Sequence, residues 1–182
     1  MVDVSAKAET VREAVARGRV RMASATLRSL QSGKTPKGNV LATAHIAAVM
    51  AAKRTGDWIP LAHPLRVEGC EVAFAFESRP AAVSIECRVR TTGRTGVEME
   101  ALTAVAAAGL TLVDMLKAVD RTLVIGDIAL WEKRGGRSGE WLRMGGDLKP
   151  TGAGAAPSTR ARRNASAAAS TSASRKRTRA PR

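Results

Sequence analysis

Between Ala101 and Val113 the chain carries no charged side chain, yet charges return at once on both sides. Glu98 and Glu100 precede the run, and Asp114, Lys117, Asp120 and Arg121 follow it. The run predicts a long helix opened by the turn TTGRTG at 91–96. Charges cost little at helix ends and much in buried middles. The helix is therefore expected to be buried along its middle and polar at both ends. At about 1.5 Å per residue, Glu98 and Asp114 lie roughly 24 Å apart. One small substrate cannot touch both ends of one copy, so chemistry at both ends calls for a site built from two subunits.

The elements around this helix have weaker signals. Residues 8–22 are mixed and fit either an extended arm or a strand. Ala25–Leu30 predicts a short helix ending at Gly33, and Asn39–Ala52 a longer one with Val40, Ile46 and Met50 on its apolar face. A Pro-rich corner follows at 59–65. Val67–Phe76 and Val83–Val89 alternate apolar and polar residues around a turn at Ser78-Arg79-Pro80, which predicts a hairpin. In its second arm Val83, Ile85, Cys87 and Val89 are apolar, while Ser84, Glu86 and Arg88 are polar. Thr122–Trp131 is β-rich, and GGRSG at 135–139 reads as a loop. The order suggests an α+β fold with an antiparallel sheet covered on one face.

Charge divides the chain. The net charge is +14, but residues 151–182 hold eight Lys/Arg and no Asp/Glu, which leaves +6 for residues 1–150. The reading is one domain over 1–148 and an Ala/Ser/Arg-rich basic tail over 149–182. The tail's composition cannot offset chain entropy, so disorder is expected there. Its RARR and RKRTR clusters have the chemistry for non-specific nucleic-acid contact, with no functional role expected. Aromatics make up only 3% of the chain, so the core must be built from aliphatic residues and Met. No apolar run approaches the length of about 20 residues that a bilayer requires, and the N-terminus lacks a signal-peptide pattern. Cys70 and Cys87 show no CxxC spacing and read as reduced structural thiols of a cytoplasmic protein. No metal and no cofactor is expected.

Several polar residues stand where structure alone would not put them. Lys37 lies at the start of the second helix, where the helix dipole disfavours a cation and a nearby anion would justify one. Lys53 flanks the other end. His63 sits in the apolar loop IPLAHPL, where an imidazole can act as acid, base or phosphate donor. His45 has weaker context and reads as structural. Arg94 and the turn amides form a natural anion site, although no Walker pattern is present. Asp114 and Lys117, three apart, share a helix face. Asp114 ends a long uncharged run and is expected near a buried edge, as part of an acid/base pair. Ordinary alternatives exist for each: a solvated lysine, a core histidine, a surface ion pair. Together they favour chemistry on a phosphorylated small molecule.

The segments KGNVLATAHIAAVMAAKRTGDWIPLAHPL, TTGRTGVEMEALTAV, DMLKAVDR, IGDI and GGRSG occur in that order. As a set they resemble the cyclic pyranopterin monophosphate synthase family of molybdenum cofactor biosynthesis, over about residues 1–145. The resemblance implies a ferredoxin-like fold and a homohexamer, a trimer of dimers with active sites at dimer interfaces. It implies a nucleotide-derived substrate, 3′,8-cyclo-7,8-dihydroguanosine 5′-triphosphate, converted to cyclic pyranopterin monophosphate and diphosphate. By the same resemblance Asp114 is the acid/base residue, with Lys117, Lys37 and His63 beside it. Leu61, Ala62, His63, Met99 and Glu100 become substrate-binding positions, with Glu98 beside them; Lys53 and Arg94 are added as cations able to stabilise charge on the triphosphate. Ala62 replaces the family's cysteine, and Asn39 replaces an acid.

Two other classes compete with this reading. A nucleic-acid-binding module would explain the basicity, but the body shows no stacking aromatics and no zinc-finger or RNP pattern. A non-catalytic nucleotide-binding regulator would not need Lys37, His63, Glu100, Asp114 and Lys117 together.

Overall fold

The computed structural model describes residues 1–145; the tail discussed above lies outside the described residues. The elements are β1 (Thr10–Arg21), α1 (Ser24–Gln31), α2 (Val40–Lys53), α3 (Thr55–Trp58), β2 (Gly69–Ser78), β3 (Ala81–Gly93), α4 (Glu98–Leu116), β4 (Val124–Arg134) and β5 (Trp141–Leu142). The sheet runs β2-β3-β1-β4-β5, with every neighbouring pair antiparallel. Helices connect β1 to β2 and β3 to β4, which is the ferredoxin-like split βαβ arrangement. The fold is α+β, as the sequence led us to expect.

The long helix packs as its charge pattern requires. α4 crosses β1, β3 and β4, with α2 alongside it. Ala101, Ala104, Val105, Ala108 and Leu112 meet Ala14, Ala16 and Val20 of β1 and Val83, Ile85 and Cys87 of β3 in one core. α2 buries Val40, Ala44, Ala48, Ala51 and Ala52. Small residues on this stripe let the helix axes approach closely. Ile46 and Met50, expected on the apolar face, point outward instead at 58% and 47% exposure. The alanine stripe wins because it fits the narrow gap beside α4. The 19-residue α4 also passes the length and apolarity test for crossing a bilayer, contrary to the run-length reading. However, 61% of its apolar window is buried in the fold, which accounts for that apolarity.

Within residues 8–22, for which arm and strand are both open in the sequence, Thr10–Arg21 forms the central strand. β1 pairs with β3 over its full length and with β4 on the other side. Its alternation was masked by arginines. Arg17 and Arg19 are almost fully buried on the face opposite Ala14, Ala16 and Val20. They persist there because acids from neighbouring strands meet them. Arg17 Nε lies 2.7 Å from Glu86 Oε2, its guanidinium is 4.8 Å from the Trp131 ring centroid, and Arg19 Nε is 3.4 Å from Asp127. Buried charge is tolerated where it is paired. Ser84 and Glu86 of β3 are nearly as buried as Ile85 between them. Gly18 lies in this strand under α4, where a Cβ would fall 2.7 Å from Val105 Cγ1.

Candidate active site

The described fold forms two clusters at opposite ends of α4. At its C-terminal end, Asp114 is clasped by two lysines. Lys117 Nζ lies 2.7 Å from Oδ1 and Lys37 Nζ 2.9 Å from Oδ2, while Lys37 also donates to the Asp114 carbonyl at 3.0 Å. The Lys117 hydrogen bond and then that of Lys37 hold the Asp114 carboxyl down to about 2. The three side chains are 44–60% exposed. The expectation of a partly buried pair is therefore not met in the single chain: Asp114 faces outward from the last turn, on the side away from Met115 and Leu116. Lys37 reaches it from the loop between α1 and α2. Asn39 ends that loop by accepting the Ala42 N–H at 3.0 Å, which caps α2. Asn and Asp cap equally well, so the departure from an acid at this position leaves the local geometry in place.

At the N-terminal end of α4, the corner after α3 folds over the first helical turn. Leu61, Ala62 and His63 face Glu98, Met99 and Glu100 across a cavity of about 290 Å³. Glu100 is buried at 3% exposure, and burial pushes its carboxyl up. His63 Nε2 is 2.8 Å from the Val2 carbonyl. A carbonyl only accepts, so Nε2 carries a proton in this contact. A small hollow lined by an imidazole and an acid whose carboxyl is pushed up by burial suits proton transfer to a ring. Ala62 lines it with a methyl, so no thiol chemistry is available there.

A third feature escaped sequence reading. A cleft of about 730 Å³ is lined by Lys7, Arg12 and Arg137, with Thr10, Gly136 and Ser138 between them. Gly136 has φ +76°, and a Cβ there would meet the Arg12 guanidinium at 1.7 Å. Arg12 is aimed by the carbonyls of Gly93 and Arg94, each 3.3 Å away. The GGRSG spacing was visible, but its approach to residues 6–12 is set by strand pairing alone. Arg94 borders this region and its guanidinium is 3.6 Å from Glu9. Lys53 is exposed on the last turn of α2, near Cys70 and outside the lining of the His63 cavity. Both cysteines are free, and burial raises both thiols. Among the described residues no group of three or more His, Cys, Asp or Glu is placed to hold a metal ion.

The sequence pattern of the MoaC family matches residues 1–136. The chain belongs to the MoaC family. A relative from Heliobacterium modesticaldum named cyclic pyranopterin monophosphate synthase is 56% identical over 143 residues, covering 79% of this chain and 90% of the relative. Proteins of the same name from Chloroflexus aggregans and Novosphingobium aromaticivorans are each 57% identical over 143 residues. They cover 79% and 78% of this chain, and 87% and 88% of their own lengths. The MoaC match spans both clusters and the basic cleft up to its edge, ending at Gly136.

Proposed function

We infer that this MoaC family chain is a lyase of molybdenum cofactor biosynthesis. It converts 3′,8-cyclo-7,8-dihydroguanosine 5′-triphosphate to cyclic pyranopterin monophosphate and diphosphate, at sites shared between two copies. The observation that carries the reading is the Lys37–Asp114–Lys117 clasp. Rebuilding a purine-derived ring needs repeated proton transfers. An ionised carboxylate between two ammonium groups offers an acceptor and donors within one hydrogen-bond radius. His63 and Glu100 supply a second acid/base pair at the other end of the helix. Closing the cyclic phosphate places a hydroxyl on the α-phosphorus while diphosphate leaves. Lysines and arginines stabilise the charge that develops there, and the basic cleft of Lys7, Arg12 and Arg137 has that character.

The sharing of the site rests on distance. About 24 Å of helix separates Glu98 from Asp114, too far for one nucleotide to join both clusters within one copy. Between the clusters, the outer faces of α2 and α4 expose Ile46, Met50 and Leu110 around a shallow apolar hollow. A second copy laid antiparallel over this band would bring the clasp of one beside the His63 cavity of the other and would remove solvent from both. Assembly of three such dimers into a homohexamer is the arrangement that the family resemblance implies.

The test is direct. Purified chain is incubated with freshly made cyclised nucleotide, and diphosphate and the fluorescent oxidised pterin are followed together. Both are expected from the wild type and neither from Asp114→Asn. Tight binding without diphosphate release would favour the regulator reading instead. Equal binding of a short DNA duplex, in a thermal-shift comparison, would favour the nucleic-acid reading.

A further inference from the structure

We propose that Asp120 is a positioning residue: its carboxylate ties the start of α1 to the segment after α4 and so sets Lys37 against Asp114. The proposal rests on the clasp being the acid/base centre. Asp120 belongs to neither cluster, yet it is only 7% exposed and fully engaged. Oδ2 accepts the Ala23 N–H and the Thr26 hydroxyl, each at 2.9 Å. Oδ1 accepts the Thr122 N–H at 2.8 Å and the Thr122 hydroxyl at 2.6 Å.

The location of these bonds gives Asp120 its leverage. The N-cap position of α1 is Ala23, which has no side chain able to cap. Helix N-termini leave amide donors unsatisfied, and here an acid nearly a hundred residues later supplies the acceptor. α1 then runs directly into the Lys37 loop through bonded links: Ser32 N–H to Arg28 O, Lys34 N–H to Ser29 O, and Gly38 N–H to Thr35 O. Slack between α1 and Lys37 is therefore small. On the other side, Asp120 N–H donates to the Leu116 carbonyl at 3.0 Å, so the carboxylate is fixed to the end of the helix that carries Asp114 and Lys117. Lys37 must satisfy both the carboxylate and the carbonyl of Asp114, and its side chain is 44% exposed. Leu27 and Leu30 of α1 share the core with Met115 and Leu116, so the latch adds directional polar bonds to an apolar contact that can slide.

The experiment follows Asp114 itself. In full-length Asp120→Ala and Asp120→Asn, the Asp114 side-chain carboxyl is titrated by carbon NMR, with the resonance assigned from Asp114→Asn. Among the described residues Lys37 and Lys117 are the groups that hold this carboxyl down, so withdrawal of Lys37 should raise its titration midpoint. The expected result is an upward shift in Asp120→Ala, a smaller one in Asp120→Asn, and turnover reduced about 10- to 100-fold, as for a small misplacement of a catalytic group. A buried destabilising control away from the latch, Ile85→Val, should leave the Asp114 titration in place. If Asp120→Ala fails to fold, Asp120→Asn and Thr26→Val, which removes one bond to Oδ2, decide the matter. A folded latch variant in which Asp114 titrates as in the wild type overturns the proposal. The titration is read without substrate, so failure of the synthase assay and failure of the latch are distinguishable.

Discussion

Lys117 and Glu100 separate stability from chemistry at single positions. Lys117 is 60% exposed, and its bond to Asp114 is solvent-screened, so its loss should barely move the melting temperature. Its loss as a proton-transfer group should reduce turnover by at least roughly 100-fold. Diphosphate release and melting measured on one preparation of Lys117→Ala check both, and near-normal turnover would return the residue to a surface ion pair. Glu100 shows the opposite balance. Burial raises its carboxyl above the ordinary value of 4.5, so ionisation costs stability once the pH exceeds that value. Below it the side chain is neutral in folded and unfolded states alike and the cost vanishes. Glu100→Gln removes the charge, and should be at least as stable as the wild type at neutral pH, with the difference fading below about pH 4. The same variant should lose turnover. A variant both less stable and fully active would place Glu100 among purely structural residues.

Strand β1 and helix α4 depend on each other through one glycine. A side chain at Gly18 would strike Val105 Cγ1 and Ile128 Cγ1, at 2.7 and 3.0 Å. Gly18→Ala should cost about 1–3 kcal/mol through overpacking. The cost should shrink in a Val105→Ala background, since the smaller residue vacates the space. Equal costs in the two backgrounds, read from chemical denaturation, would show that α4 does not rest on the strand at this point. At this scale the sequence was only partly legible. The β2–β3 hairpin and α2 stood out by alternation and apolarity, whereas β1 did not. Arg17 and Arg19 look like solvent-facing residues until Glu86, Glu132 and Asp127 are brought to them. Those acids lie 69 to 115 positions away in the chain, beyond any window of periodicity.

Two copies acting together remain the central expectation for the whole molecule. Mixed assemblies of Asp114→Ala and Glu100→Ala chains should recover part of the activity that each lacks alone. In a mixed dimer one of the two shared sites is then free of both substitutions. Co-refolded chains with different affinity tags allow the mixed species to be isolated and assayed. No recovery in verified mixed dimers would confine each site to one chain. The MoaC match ends at residue 136, well before the basic tail, so most of the chain's excess charge lies outside the family-matched body.

By itself, the sequence determined the start and the uncharged middle of α4, because charge at a helix terminus and charge in a core differ greatly in cost; the helix stops at Leu116, short of Asp120 and Arg121, which the sequence reading places near its end. The sequence also placed Asp114 beside Lys117, since three residues along a helix return to one face. Local chemistry likewise marked the Gly33 stop, whereas the role of Asn39 as the cap of α2, read from sequence as a helical residue, came from the structure. Tertiary structure alone decided that Lys37 closes the clasp, that His63 and Glu100 line one cavity, and that Arg12 meets the glycine loop. It also decided which face of α2 is buried. An alanine stripe and an Ile/Met stripe are both apolar, and only the width of the gap beside α4 selects between them. Such contacts join residues far apart in sequence, and their geometry follows from strand register and helix packing, which no local pattern encodes.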